Sequence, residues 1–136
     1  MSDGSRRAVV RRDGMTVVLI DSITQVEPGD AGRIVISGSH GGISAASFAA
    51  KVKAALYVFN DAGIGKDSAG IAGLDMLEAA GIAAVAVRHD SARIGDARDT
   101  LENGVIGAVN APARVAGVQA GMMVPEALAL FADQAG

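Results

Sequence analysis

The sequence predicts one α/β domain: a small parallel sheet of about four strands, helices on both of its faces, and an N-terminal β-hairpin ahead of it. Three observations carry this. Short apolar runs without in/out alternation recur through the middle of the chain, as strands buried on both faces require. Stretches of helical length rich in Ala separate them, which implies right-handed βαβ crossovers. Half of the 136 residues are hydrophobic but only 3% are aromatic, so the core must be built from Ala, Val, Ile and Leu packed closely.

Residues 8–12 and 15–20 are short runs joined by Asp13-Gly14, a strong two-residue hairpin signal; together they make a hairpin over 8–20. Pro28-Gly29 marks a turn. A βαβ core over 33–110 follows. The run 33–37 stops at Gly38-Ser39-His40-Gly41-Gly42, and 43–53 reads as a helix whose Ala45, Ala46, Ala49 and Ala50 form a narrow packing face. The run 55–59 stops at Asn60-Asp61. Asp67 or Ser68 is placed to N-cap a helix through Ala80, with Gly81 where a C′ residue belongs. The run 82–87 ends at Arg88-His89-Asp90. Asp90 or Ser91 then caps a more polar helix to Glu102, which Asn103-Gly104 ends. A fourth run, 105–109, ends at Asn110. Pro125, at a first helical turn, opens a C-terminal helix over 125–134.

Composition narrows the function. The chain carries a net charge of −3 and a sequence pI near 5.2, which argues against nucleic acid as the main partner; the Arg6-Arg7 and Arg11-Arg12 pairs read as solvated positions. With no cysteine, a disulfide framework and a thiolate metal site are both excluded. No apolar run approaches the length of a membrane span, and the N-terminus lacks the apolar segment of a signal peptide, so a cytoplasmic, membrane-free protein is expected. Ala and Gly make up 45 residues and charged residues only 20%. A surface that poor in polar material points to association with copies of itself.

The polar residues collect where strands end. In parallel α/β sheets the carboxyl ends of the strands share one edge, and ligands bind there. Asp21-Ser22, Ser39-His40, Asn60-Asp61, His89-Asp90-Ser91 and Asn110 all fall at the ends of apolar runs, and both histidines are among them. Asp, Asn and Ser are also turn and cap formers; His, Lys and Arg are not.

Three motifs lie in this set. Ser37-Gly38-Ser39-His40-Gly41 has the strand, small-residue turn and helix of a nucleophile elbow. Over about nine residues it resembles the elbow of α/β-hydrolases, with Ser37 where that elbow has Gly. The resemblance implies Ser39 as nucleophile; a triad would draw on Asp61 or Asp67 and on His89. The other reading is a glycine loop, Gly38 and Gly41 included, whose N–H groups hold an anion. The second motif, Asn60-Asp61-Ala62-Gly63-Ile64-Gly65-Lys66-Asp67-Ser68, fails as a P-loop because Asn60 and Asp67 replace the first Gly and the hydroxyl. As a dinucleotide fingerprint it fails because Ser68 replaces the third Gly. What remains is a glycine loop presenting Asp61, Lys66 and Asp67. In the third, Arg88-His89-Asp90-Ser91-Ala92-Arg93, His89 beside a carboxylate is a candidate general base or a plain exposed residue. Arg93 faces an anion or pairs with a nearby Asp.

The sequence therefore predicts a hydrolase- or lyase-type enzyme acting on a small, polar, anionic metabolite. Catalytic candidates are Ser39, His40, Lys66, Asp67 and His89. Ligand-binding candidates are Gly38, Gly41, Asn60, Asp61, Gly63, Gly65, Ser91 and Arg93. No metal and no nucleotide cofactor are expected, since neither His-x-x-x-His nor Asp-x-Asp occurs. The rival is a non-catalytic ligand-binding or structural subunit of a homo-oligomer.

Overall fold

The hairpin forms where its turn chemistry dictates. In the computed structural model, which describes residues 6–132, β1 (Arg7–Arg12) and β2 (Met15–Ile20) pair antiparallel from Arg7↔Ile20 to Arg12↔Met15. Asp13 and Gly14 between them take φ of +51° and +81°, the left-handed pair that a type I′ turn demands. The hairpin does not stand ahead of the sheet; it belongs to it. β2 pairs parallel with β3 (Ile34–His40), which pairs parallel with β4 (Leu56–Asn60), which pairs parallel with β5 (Ala84–Val87). With β6 (Ile106–Val109) the sheet has six strands in chain order, where about four were expected.

β6 corrects a second expectation, because it runs antiparallel to β5. The cause lies in the connection before it. The polar helix foreseen from Asp90 or Ser91 is confined to α3 (Ala97–Asn103), about 10 Å long at the α-helical rise. The N–H of Ala97, at its start, donates to Asp21 beyond the end of β2. A Cβ on Gly104, after its end, would stand 2.7 Å from Val87 at the end of β5. α3 thus lies across the sheet, the chain emerges at the edge it left, and β6 must run back. Asn110 consequently sits at the amino edge of the parallel strands, not with the other strand-end polar residues. There it is buried, accepting from the N–H of Ala84 and donating to the carbonyls of Leu74 and Ile82.

The helices are shorter than periodicity suggested. α1 is Ile43–Ala49 and α2 is Gly73–Ala79. The segment ahead of α2 makes only a 3-10 turn at Lys66–Ser68, and Ser68, at φ +57°, interrupts the helix expected there. Gly81 does take the C′ role, with φ +75°. α4 (Ala111–Val115) was not foreseen: Asn110 caps it through the N–H of Ala113, and Pro112 sits in its first turn. α5 spans Val124–Ala129; the end expected at Gln134 lies outside the described residues.

Each face of the sheet has its own core. Val18, Ile20, Val35, Tyr57 and Phe59 are buried with Ala45, Ala46 and Ala49 of α1 and Leu74 and Leu77 of α2. Val17, Leu19, Ile34, Ile36, Val58 and Val85 are buried with Leu101 of α3 and Leu128 of α5. The Ala-rich face of α1 allows close approach: a Cβ on Gly73 of α2 would stand 2.8 Å from Ala46 Cβ. Between β2 and β3 no α-helix forms, only 3-10 turns at Ile23–Gln25 and Pro28–Asp30. Arg7 clasps this crossover, donating to both oxygens of the buried Asp30 at 2.9 and 2.8 Å and to the carbonyl of Gln25. No helix among the described residues is long and apolar enough to cross a membrane.

Candidate functional site

The parallel strands β2 to β5 end at one edge, and the chain leaving β5 crosses that whole edge as a strap. The Ser91 hydroxyl donates to the carbonyl of Arg88 and accepts from the N–H of Val105. The carbonyl of Ala92 accepts from the buried Asn60 amide at the end of β4. The N–H of Gly95 donates to the carbonyl of Gly38 on β3. A Cβ on Gly38 would lie 2.6 Å from the backbone of Gly95 and Asp96, so the strap passes there only because residue 38 is Gly. The strap then reaches Asp21, which accepts from Ala97 and from Arg6. Burial pushes the Asp21 carboxyl up, but these hydrogen bonds outweigh it and hold the group below its ordinary range.

Much of the polar pile-up therefore holds backbone. Asn60 also accepts from the N–H of Ala62, and Ser37 accepts from that of Ser39. Ser39 lies within β3, with the turn after it at Gly41-Gly42 rather than around it; its Oγ accepts from the N–H of Ile23 at 2.9 Å. The elbow geometry is not formed. The N–H groups of Gly41 and Gly42 donate to the carbonyl of Asn60 and to His40 Nδ1, inside the chain. Arg93 is exposed beside Asp99, whose carboxylate accepts from the N–H of Arg93. Asn103 and that N–H hold the Asp99 carboxyl below its ordinary range.

The two histidines sit on either flank of the glycine loop that follows β4. His89 Nδ1 lies 3.3 Å from Asp61 Oδ1. The same oxygen accepts from the N–H groups of Gly63 at 2.8 Å and His89 at 2.9 Å. Asp61 is buried, its side chain 8% exposed, while the His89 side chain is 61% exposed. A buried carboxylate thus holds an open imidazole. Gly63, at φ +78°, lies against the ring, where a Cβ would stand 3.7 Å away. On the other flank His40 is exposed, paired in register with Asn60, and its Nδ1 accepts from the N–H of Gly42 at 3.1 Å. A Cβ on Gly42 would stand 2.7 Å from the His40 ring and 3.1 Å from the carbonyl of Ala69. Gly42, which the sequence reading passed over, seats this imidazole; the signal was the doubled glycine after His40.

The nearest partner of each Nδ1 favours opposite tautomers for the two neutral rings. The Asp61 carboxylate, 3.3 Å from His89 Nδ1, favours the proton on that nitrogen, which leaves a lone pair on Nε2. His40 accepts at Nδ1, which leaves N–H on Nε2. So placed, one ring turns a lone pair outward and the other an N–H. Lys66 is exposed in the loop between them, with no ion pair to any described side chain. Gly65 beside it takes φ +76°. The side chain of Asp67 lies outside those described. Among the described residues no group of three or more His, Asp or Glu is placed to hold a metal ion.

The loop itself is strained. Ala62, Ile64 and Ser68 take φ of +51°, +67° and +57°, a region that costs a residue with a Cβ about 1 kcal/mol or more. For the β-branched Ile64 it is an outlier. Comparison of the chain with models of protein families, with curated proteins and with solved structures finds no match.

Proposed function

We propose that the protein is an enzyme of hydrolase or lyase type that moves a proton on a small anionic metabolite at the carboxyl edge, without a nucleotide cofactor. One observation carries the reading. Once the groups that hold backbone or pair with a neighbour are set aside, those left facing outward around the glycine loop, among the described side chains, are His40 Nε2, His89 Nε2 and the Lys66 ammonium. The Lys66 ammonium and the N–H on His40 Nε2 suit an anion. His89, oriented by Asp61, acts as general base, and His40 donates to the oxygen on which charge develops. Lys66 offsets the charge of the ligand.

Titration of the full chain with acetate and inorganic phosphate, followed by the imidazole NMR signals, tests the site. Both histidines are expected to shift; if neither responds to either anion, the site is wrong. The enzyme reading is tested with a panel of carboxylic esters, phosphate monoesters and β-hydroxy acids. Turnover should fall by about a hundredfold or more in His89→Gln. Turnover that His89→Gln leaves unchanged would remove His89 from the chemistry, and a panel with no turnover favours the binding-subunit reading.

Self-association belongs to the opposite edge in this reading. Val115 is 89% exposed and Leu130 41%, and a Cβ on Gly117 would touch Leu130 at 3.5 Å. Next to them opens a cleft of about 320 Å³ lined by Ala54, Ala83, Pro112, Val115, Ala116 and Phe131, among others. Copies meeting there leave the carboxyl edge open. Sedimentation should report an oligomer that Val115→Asp dissociates; a monomeric parent chain removes the proposal.

A further inference from the structure

The chain has ten isoleucines, and only three of them are exposed. Ile43 is 61% exposed, Ile64 39% and Ile94 55%. They stand one on each of the three segments that leave β3, β4 and β5 at the carboxyl edge. Elsewhere isoleucine is used as core: Ile20, Ile34 and Ile36 have no exposure at all. Backbone contacts link the three segments. Ile43 follows Gly42, whose Cβ position abuts the carbonyl of Ala69, and Gly41 abuts Gly70 in the same way. Gly70 donates to the carbonyl of Ile64. Ile94 precedes Gly95, which is bonded to Gly38, two residues before His40. Ile64 is left-handed and still leaves 39% of its surface to solvent, so it bears a backbone cost together with a solvation cost.

We infer that the carboxyl edge takes an amphiphilic organic acid, its carboxylate against His40, His89 and Lys66 and its aliphatic or aromatic body against Ile43, Ile64 and Ile94. The inference rests on the proposed anion site and adds the class of ligand. Inorganic anions and very small acids would leave the isoleucines wet. A second copy of the chain is the other means of covering them, and sedimentation separates the two. An anion with an apolar body answers both the charge and the exposed side chains.

The test is a chain-length series on the full protein: acetate, butyrate and hexanoate, with inorganic phosphate alongside, each titrated against the imidazole signals and the amides of residues 62–66. Affinity is expected to rise about fourfold for each methylene that leaves water. Ile64→Ser and Ile94→Ser should flatten that rise, and circular dichroism confirms that these surface variants stay folded. Hexanoate binding no tighter than acetate overturns the amphiphilic ligand and leaves the anion site standing. If phosphate and all three carboxylates fail to move either histidine, the anion site falls as well. A chain-length rise that neither serine variant alters assigns the apolar contact elsewhere and overturns the inference. Variants that instead change the sedimentation coefficient would give the edge to a second copy, which also overturns it.

Discussion

Asp30 and Asp61 are two carboxylates buried to nearly the same degree, with side chains 1% and 8% exposed, and the fold treats them in opposite ways. Asp30 receives both prongs of a guanidinium that never deprotonates, plus the N–H of Glu27. Burial pushes its carboxyl up, and Arg7 with that N–H pulls it further down, below the ordinary range. Asp61 receives two N–H groups and faces, at 3.3 Å, an imidazole that is otherwise open to solvent. A permanent cation makes a clasp. An imidazole makes a contact that leaves its second nitrogen open to solvent. Burial of an acid is therefore no guide to function by itself; the partner's own chemistry decides.

The largest effect should come from breaking the clasp. Asp30→Asn leaves the largely buried Arg7 charge with only the exposed Glu27 carboxylate, 3.3 Å away, and loosens a crossover that has no α-helix of its own. We expect a loss of about 3 kcal/mol in urea unfolding, at the low end for a broken buried pair because Arg7 keeps 22% of its side chain exposed. A loss under about 1 kcal/mol would put Asp30 among the surface pairs. The clasp also fixes a pH dependence. Because the folded Asp30 carboxyl lies below its unfolded value, its contribution is complete above the unfolded pKa near ~4 and is lost as pH falls through the folded value. The urea midpoint should drop on going from neutral pH to below that range, and Asp30→Asn should drop less. Some slope must remain in the variant, since Asp21 is lowered too.

Asp61→Asn is the matching test on the other carboxylate, with a smaller cost to folding. The Asn oxygen still accepts from Gly63 and His89, so a stability loss of about 1 kcal/mol is expected. The consequence falls on the ring: without the carboxylate, the His89 proton loses its reason to sit on Nδ1. Imidazole ¹⁵N shifts should report the Nδ1-protonated form in the parent and a shift towards the Nε2-protonated form in the variant. Turnover, where a substrate is found, should fall with it. An unchanged tautomer in Asp61→Asn would mean that Asp61 positions backbone only.

How much of this could be read from residues alone follows from where each signal resides. The Asp13-Gly14 hairpin and the Gly81 C′ turn are local, and both appear as expected. The clustering of His40, Asp61 and His89 at the ends of parallel strands followed from the periodicity of the strands. The direction of β6 did not, because it depends on the chain from Asp90 to Asp96 being a strap rather than helix. Ser91, Asn60 and Gly38 owe their places to that strap, and hydrogen bonds across 14 to 57 positions leave no trace in a local pattern. Asn110 was misplaced for the same reason. Asp30 escaped notice because an acid in a Pro-Gly-Asp turn looks solvated until Arg7, 23 positions away, is seen to hold it.

The finest test separates the two histidines, and it turns on a methyl group. Gly42→Ala puts a carbon 2.7 Å from the His40 ring and 3.1 Å from the carbonyl of Ala69. The imidazole can swing outward, since it is exposed, whereas the carbonyl must give by only a few tenths of an ångström. The cost to folding should stay near 1 kcal/mol, about the value of the hydrogen bond between Gly42 and His40. The imidazole shifts should then show His40 losing its fixed Nε2-protonated form while His89 keeps its own. If both rings change together, the glycine loop couples them and the flanks are not independent. If neither changes, His40 is not seated by Gly42, and only the Asp61–His89 pair remains as ordered chemistry at this edge.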